Sequence, residues 1–560
     1  VVIGGEGEGP SSLHGTVLNQ ITHEPISRAL VYSAGGQFAM LTDDRGHFEF
    51  KFPPRQPAPT LDETLTPAAR QRTLRHSWAQ NARPGTLMAR KPGFLEIDGS
   101  FVNNGSLSDT ADIKIYLVPE SLIVGQINIP GSEGELRIPV QLYRHEASEG
   151  QERWIQSGTF LCWSDGEFRF AGLRAGTYKL VTGEQLDRDP FTFNPGEQLY
   201  GFPPVFYPNA NDFATASPIQ LGAGATFQAN LSVARREYYT VKIPVANATA
   251  ARGMQIHVNP LGHPGPGYSL GYNSMEQAIE GMLPAGNYSL ETETFGGETG
   301  STGMMNFSVR GAAFDGAALS MVPNASVNIT VREELKNTES ESPGFAQQGV
   351  GPAFTGRLRR STVQVVLNPI EDFPFRGGGG VRPGSGGDED TLVIPNVGPG
   401  RYWVRVYGNP GYAASVVSGG VDLLHGDLVV GLGAAIPAIE ITVRDDGAEV
   451  TGTIEDATRT SDEPEQVAGA TPMSFVYFVP VAGSTGQFRE SSVGPDNTFR
   501  QDQLPPGTYR VLAFDRQQQN LAYADAEAMR AYESKGEVIQ VNAGQKENLM
   551  LKIIPGGDLQ

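Results

Sequence analysis

The sequence predicts an all-β protein made of β-sandwich units in tandem, and three observations carry that expectation. A phrase recurs at domain-length intervals, short strands with period-two alternation are separated by turn residues, and long amphipathic helical stretches are scarce. Residues 165 to 180 read DGEFRFAGLRAGTYKL and residues 496 to 511 read DNTFRQDQLPPGTYRV, with Asp, Phe, Leu, Gly and Tyr at the same spacing. Shorter versions stand at Leu283 to Tyr288 (LPAGNY) and Val397 to Tyr402 (VGPGRY). The turn glycines Gly176, Gly286, Gly400 and Gly507 are thus 110, 114 and 107 residues apart. Solenoid repeats of about 20–50 residues are too short for that period, whereas autonomous domains fit it.

The first element expected is a strand over Leu13 to Leu18, followed by Ala29 to Tyr32 and by HFEFKF, in which Phe48, Phe50 and Phe52 alternate with charged neighbours and so share one face. Residues 53 to 85 then interrupt the first copy. This insertion carries PPRQPAP and an arginine-rich segment with a helix expected near 66–81, where Leu74 and Trp78 meet on one face and Arg70, Arg72 and Arg75 stay near the surface. Later strands are expected at Leu122 to Ile127, Ile138 to Tyr143, Thr240 to Val245, Met254 to Val258, Val363 to Leu367, Ile439 to Val443 and Phe475 to Val479. Each turn glycine is read as the centre of a hairpin, with its tyrosine burying the ring and carrying the hydroxyl to a partner at the core edge. A second helix is expected over Ala524 to Glu533. Units are placed at 12–118, 119–234, 235–334, 355–445 and 446–555, with an extended segment at 1–11, a linker at 335–354 and a tail at 556–560. The glycine-rich stretch 375–390 is a loop within the fourth unit.

A length of 560 residues exceeds what one ordinary core organises. The formal charge of −20 and the lack of a basic run exclude nucleic acid as the expected partner. Cys162 stands alone, so no internal disulfide or structural zinc cluster can form, and cysteine scarcity suits an oxidising or exterior compartment. No run of 18 apolar residues reads as a transmembrane segment. The opening VVIGGEGEGP reads as a processed mature chain, its signal peptide removed, or as an excised portion of a longer product.

The succession HGTVLNQITHEPISRALVY, TDDRGHFEF and KPGF resembles the carboxypeptidase regulatory-like domain, an Ig-like or transthyretin-like sandwich found in many bacterial secreted and envelope proteins. Gly15, Pro25, Ala29, Val31, Asp44, Gly46, Phe48 and Phe50 carry the likeness in the first copy. Asp165, Gly166, Phe168, Phe170, Leu173, Gly176, Tyr178 and Leu180 carry it in the second, and Gly452, Val479, Phe499, Leu504, Gly507 and Tyr509 in the last. The middle copies match less well. The resemblance implies a sandwich used for support, adhesion or assembly, and it implies no peptidase activity, which in carboxypeptidases belongs to a separate catalytic domain.

Tests for chemistry lead to no expected catalytic, cofactor or metal site. None of His14, His23, His47, His76, His145, His257, His263 and His425 begins an H-x-x-E or H-E-x-x-H pattern. Gly267 to Gly271 spell G-x-S-x-G around Ser269, but LGHPGP is a poor entering strand and only His425 follows, so a glycine-rich loop is the reading. His145 and Cys162 are a weak pair that neighbouring strands could bring together. Asp388, Glu389 and Asp390 lack the ligand spacing of a calcium loop. Seven N-x-S/T sequons, at Asn104, Asn230, Asn247, Asn287, Asn306, Asn324 and Asn328, are either glycan acceptors or polar turn and strand residues.

The function expected is that of a non-enzymatic structural protein, extracellular or on the cell surface, that self-associates, with a filament built through sandwich edges or ends as its form. Segment 1–12, whose VVI suits strand pairing, or insertion 53–85 supplies a contact. The alternative is a carbohydrate-binding or adhesive module, with envelope components or carbohydrate as partners and Trp154, Trp163, Tyr268, Tyr272, Trp403 and Tyr407 as its exposed aromatics.

Overall fold

The computed structural model describes residues 11–33, 37–52, 86–95, 101–103, 112–130, 136–188, 198–247, 253–295, 300–336, 362–373, 382–383, 391–455, 474–494, 496–518 and 521–555. The chain is all-β and forms tandem β-sandwich units, each with its own apolar core. Alternation dictates which side chains enter those cores. In HFEFKF, Phe48, Phe50 and Phe52 are buried while the residues between them are exposed, as period-two geometry requires of a strand with one wet face.

One scheme repeats five times among the described residues. A leading strand lies between an antiparallel partner and a parallel partner that closes the unit. Ser11–Asn19 pairs with His47–Phe52 and, in parallel, with Asp112–Leu117. Ser121–Asn128 pairs with Glu167–Leu173 and, in parallel, with Thr226–Gln228 and Leu231–Ser232. Arg236–Ala246 pairs with Ala278–Pro284 and, in parallel, with Phe314–Asp315 and Leu319–Ser320. Ala325–Glu334 pairs with Thr391–Val397 and, in parallel, with Ile439–Arg444. Ala448–Glu455 pairs with Thr498–Leu504 and, in parallel, with Lys546–Ile554. Because the first and last strands of a unit point the same way, the chain enters at one pole and leaves at the other. The facing sheet is built on an antiparallel pair, such as Pro139–Ser148 with Gly176–Thr182 or Phe475–Pro480 with Gly507–Phe514.

This scheme shifts one expected assignment. Ala325–Glu334, which a boundary after 334 leaves in the third unit, is the leading strand of the fourth and packs Val327 and Ile329 into its core.

The recurring turns also differ from expectation. They are corners between the two sheets, not hairpins: Glu167–Leu173 pairs within one sheet and Gly176–Thr182 within the other. Each corner is held by its tyrosine, whose hydroxyl donates to the carbonyl four residues earlier. The bonds are Tyr178 to Arg174 (2.8 Å), Tyr288 to Pro284 (2.7 Å), Tyr402 to Gly398 (3.0 Å) and Tyr509 to Pro505 (2.6 Å). This is a tyrosine corner, and it satisfies a carbonyl that a hairpin ladder would otherwise take up.

The first, second and fifth units share two further details. A five-residue turn places Gly46, Gly166 or Asn497 at positive φ, a conformation open to Gly and tolerated by Asn. An aspartate carboxylate accepts backbone N–H groups there, and in the first unit it is Asp43, not Asp44, that caps Arg45 and His47. In the leading strand, Gly15, Gly125 and Gly452 face Phe48, Phe168 and Phe499 across the ladder. A Cβ on Gly452 would sit 2.4 Å from the Leu549 carbonyl oxygen.

Of the two expected helices, the one near 66–81 lies with the whole insertion 53–85 outside the described residues. The other is reduced to a 3₁₀ segment, Ala528–Tyr532, with no buried residue of its own to extend it.

Candidate interaction site between the units

The strand Gly176–Thr182 is buried on both faces, which alternation alone does not produce. Leu180 points into the sandwich core with Leu142, so Tyr143, Lys179 and Val181 point outward. The segment around Phe206, Phe213 and Ala216 covers that outer face. Lys179 is buried there, its ammonium 4.7 Å from the ring centres of both Trp154 and Phe213 and donating to the Phe213 carbonyl at 2.7 Å. Burial lowers its pKa, and Asp212 and Asp372 oppose that shift. The arrangement is a cation held between aromatic faces, an apolar socket with one charge satisfied from within.

A residue of the fourth unit fills this socket. The Phe373 ring lies edge-on at 4.7 Å from Phe213 and 5.7 Å from Tyr143, a favoured aromatic geometry. Beside it the Arg153 guanidinium donates to the Pro369 carbonyl. The turn that follows Pro139–Ser148 extends the contact. Arg405 donates to the Glu149 carbonyl at 2.8 Å and to the Tyr523 hydroxyl, and its guanidinium stacks 3.7 Å from the Trp403 ring centre. Ala524 N–H donates to the Gly150 carbonyl at 2.8 Å. Gly150 sits at positive φ, and a Cβ there would lie 2.4 Å from the Tyr523 ring, so only glycine fits between the units. The second unit therefore meets the fourth and fifth through an aromatic plug, two arginines and a glycine tongue.

The second to fifth units are also locked in succession. Between the second and third, Glu184 Oε2 accepts the Ser269 N–H at 2.9 Å. Its Oε1 and the Tyr238 hydroxyl are both buried, and the hydroxyl faces the carboxyl closely enough to act on its titration. Burial pushes the Glu184 carboxyl up to about 7 against the lowering effect of Ser269 and Tyr238, and burial also raises Tyr238, Tyr268 and Tyr288. Between the third and fourth, Asn396 Oδ1 accepts from Gly300 N–H (2.9 Å) and Asn324 Nδ2 (2.7 Å). Between the fourth and fifth, Asp446 is bonded by Lys336, Arg444 and Tyr412. His425 contacts the Ser484 carbonyl at 2.9 Å.

The sequence-derived candidates fall as follows. No helix leaves Ser269: the strand Leu270–Asn273 follows it, so the nucleophile elbow is absent. His145 and Cys162 are not brought together. Register sets His145 opposite Trp154, while the Cys162 thiol accepts from Ile138 N–H at 3.1 Å, because the two strands run antiparallel from a turn far from Cys162. Burial raises that thiol's pKa, which makes it a poor nucleophile. Asp388, Glu389 and Asp390 lie outside the described residues, as does Asn104. Asn230, Asn247, Asn287, Asn306 and Asn328 are exposed, whereas Asn324 is half-buried in the junction. The six aromatics do not line one surface: Trp154 and Trp403 belong to the junction, Tyr268 packs on Tyr288, Tyr272 packs against the core of the third unit, and Trp163 and Tyr407 are about half exposed. Among the described residues no three His, Cys, Asp or Glu side chains converge as metal ligands, and no helix there is long and apolar enough to cross a membrane.

Glu184, Lys179, Phe373 and Arg405 were not singled out from the sequence. Lys179 in TYKLV alone carries a signal, a charge inside an otherwise apolar strand.

No protein-family model matches the chain, and no curated protein sequence matches it. Among solved structures it is similar to the TIE protein of Bacillus anthracis, at 10% identity and a TM-score of 0.14 over 97% of this chain and 99% of that one. A streptococcal ancillary pilin gives 11% and 0.19 over 58% and 99%. The full-length RrgB pilus protein of Streptococcus pneumoniae gives 9% and 0.13 over 78% and 98%. Likenesses of that size carry no functional argument.

Proposed function

We propose that this chain is a non-enzymatic structural protein of the cell surface or extracellular space that self-assembles, with a filament as its expected form. The observation that carries the reading is the pole-to-pole threading of every unit, closed by parallel first and last strands, with the second to fifth units joined in succession by side-chain bonds. Such a chain transmits position and load along its length, which is what a scaffold requires. Electron microscopy of the purified protein, with mass in solution measured over a hundredfold concentration range at physiological salt, tests it. Ordered, concentration-dependent assemblies are expected, and uniform monomers throughout would overturn it. Surface or secreted placement is tested by fractionating the source cells, where recovery in the cytosol would refute it.

Two finer assignments belong to the same reading. The first, second and fifth units are carboxypeptidase regulatory-like domains, on the shared turn and the glycine–phenylalanine pair; failure of either to superpose on a solved member would remove the assignment. The exposed sequons Asn230, Asn247, Asn287, Asn306 and Asn328 are glycan acceptors if the source attaches sugars to asparagine, and Asn324 is not, since its amide is bonded within a junction. Mass mapping of the native protein decides this, and a glycan on Asn324 would contradict it.

A further inference from the structure

The contact between the second unit and the fourth and fifth joins residues 216 and 256 positions apart, between units that are not consecutive. We infer that this contact is exchangeable between copies: the Pro369–Phe373 segment of one chain occupies the aromatic socket of a second copy, and the second copy's Glu149–Gly150 tongue enters between Arg405 and Tyr523 of the first. The inference rests on the self-assembly reading and names the surface that performs it.

Three features support an interface rather than an ordinary core. First, its anchors are aromatic and arginine side chains at the centre of a desolvated patch, the composition that dominates association between proteins. Phe373 seats against Phe213 and Tyr143, Arg153 reaches Pro369, and Arg405 bridges Glu149 and Tyr523. Second, the socket is complete without its plug. Lys179 is held by carbonyls and rings of the second unit itself, so release of Phe373 leaves no bonded partner of the ammonium behind. Third, every bond is made between whole units, so an identical unit from another copy recovers all of them. Exchange of identical elements is a low-cost route to oligomers, and a heterologous contact of plug and socket adds copies head to tail.

Complementation between two variants tests this. Phe373→Ala removes the plug and keeps the socket, while Trp154→Ala opens the socket and keeps the plug. Each alone lacks the same half of the contact in every copy, so the contact fails both within a chain and between chains, and each variant is expected to stay monomeric where the parent assembles. Mixed one to one, they are expected to form a discrete heterodimer that grows no further, since one intact plug meets one intact socket. Circular dichroism with the parent's β signature shows that each variant is folded. A mixture that stays monomeric overturns the exchange even if the parent assembles, as does assembly of both variants at the parent's concentration. If the parent stays monomeric but the mixture dimerises, the exchange stands and the self-assembly reading falls.

Discussion

Replacing Glu184 by Gln should abolish a pH dependence of stability that runs opposite to that of most carboxylates. In the folded chain the Glu184 carboxyl lies in the junction of the second and third units, with one oxygen on Ser269 N–H and the other buried near the Tyr238 hydroxyl. Burial raises it from 4.5 to about 7. The folded state therefore keeps a proton that the unfolded chain has released. Its contribution to stability is intact below about pH 4.5, falls as pH rises, and is fully lost once pH passes about 7. At about 1.4 kcal/mol per pH unit, that window corresponds to a loss of about 3 kcal/mol. Gln keeps an oxygen for Ser269 and carries an NH₂ that the Tyr238 hydroxyl can accept, with no charge to desolvate. Urea unfolding of parent and variant at pH 4.5, 6, 7 and 8, followed by tryptophan fluorescence from Trp154 and Trp163, reads the difference. The variant should match the parent within about 1 kcal/mol at pH 4.5 and exceed it by up to about 3 kcal/mol at pH 8. Equal slopes against pH in the two proteins would refute the reasoning.

Tyr509→Phe should cost about 1–3 kcal/mol, because the buried hydroxyl donates to Pro505 and accepts from Gln487 N–H; chemical denaturation of the fifth unit checks it, and an unchanged midpoint counts against the corner. Gly452→Ala should destabilise the same unit by about 1–3 kcal/mol, since a Cβ would meet the Leu549 carbonyl oxygen at 2.4 Å. Asp446→Asn should weaken the junction of the fourth and fifth units by about 1–3 kcal/mol at pH 7. Burial raises the Asp446 carboxyl, but Lys336, Tyr412 and Arg444 outweigh it and hold it below its ordinary value. Its contribution is therefore present above about pH 4 and lost as pH falls through the depressed value, so parent and variant should converge in acid.

The strands were legible because alternation is local: HFEFKF reads its own burial pattern, and each strand expected from Leu13 to Val479 falls on an observed one. The repeat was legible where the turn and the Gly–Phe pair both survive, in the first, second and fifth units. In the third, Val241 faces Gly281 across the same ladder, so the glycine has changed strands and the phrase fades. Two misreadings have a common cause. A Gly-x-Tyr turn looks alike whether it joins strands of one sheet or of two, and only the hydroxyl's reach to a carbonyl four residues back separates them. Ala325–Glu334 alternates equally well in either unit, and pairing with residues beyond 390 decides its place. In the contact of the second unit with the fourth and fifth, only Lys179, Trp154 and Trp403 carried a signal in the sequence, and none of them as a junction residue, because Arg405, Phe373 and Gly150 reach across units to partners more than a hundred positions away.

The parallel pairing of first and last strands has a mechanical consequence. Tension applied along the chain pulls those two strands past each other lengthwise, so it loads their shared hydrogen bonds together instead of peeling them one at a time. The fifth unit opposes such shear with seven residue pairs in one unbroken register, and the first and fourth with six each. The second and third have theirs split into short pieces, Thr226–Gln228 with Leu231–Ser232 and Phe314–Asp315 with Leu319–Ser320. Stretched from its ends, the chain should give at its second and third units first, lengthening there as a fuse while the others hold; single-molecule pulling on the full chain, with either of those units deleted in turn, would locate the earliest extensions.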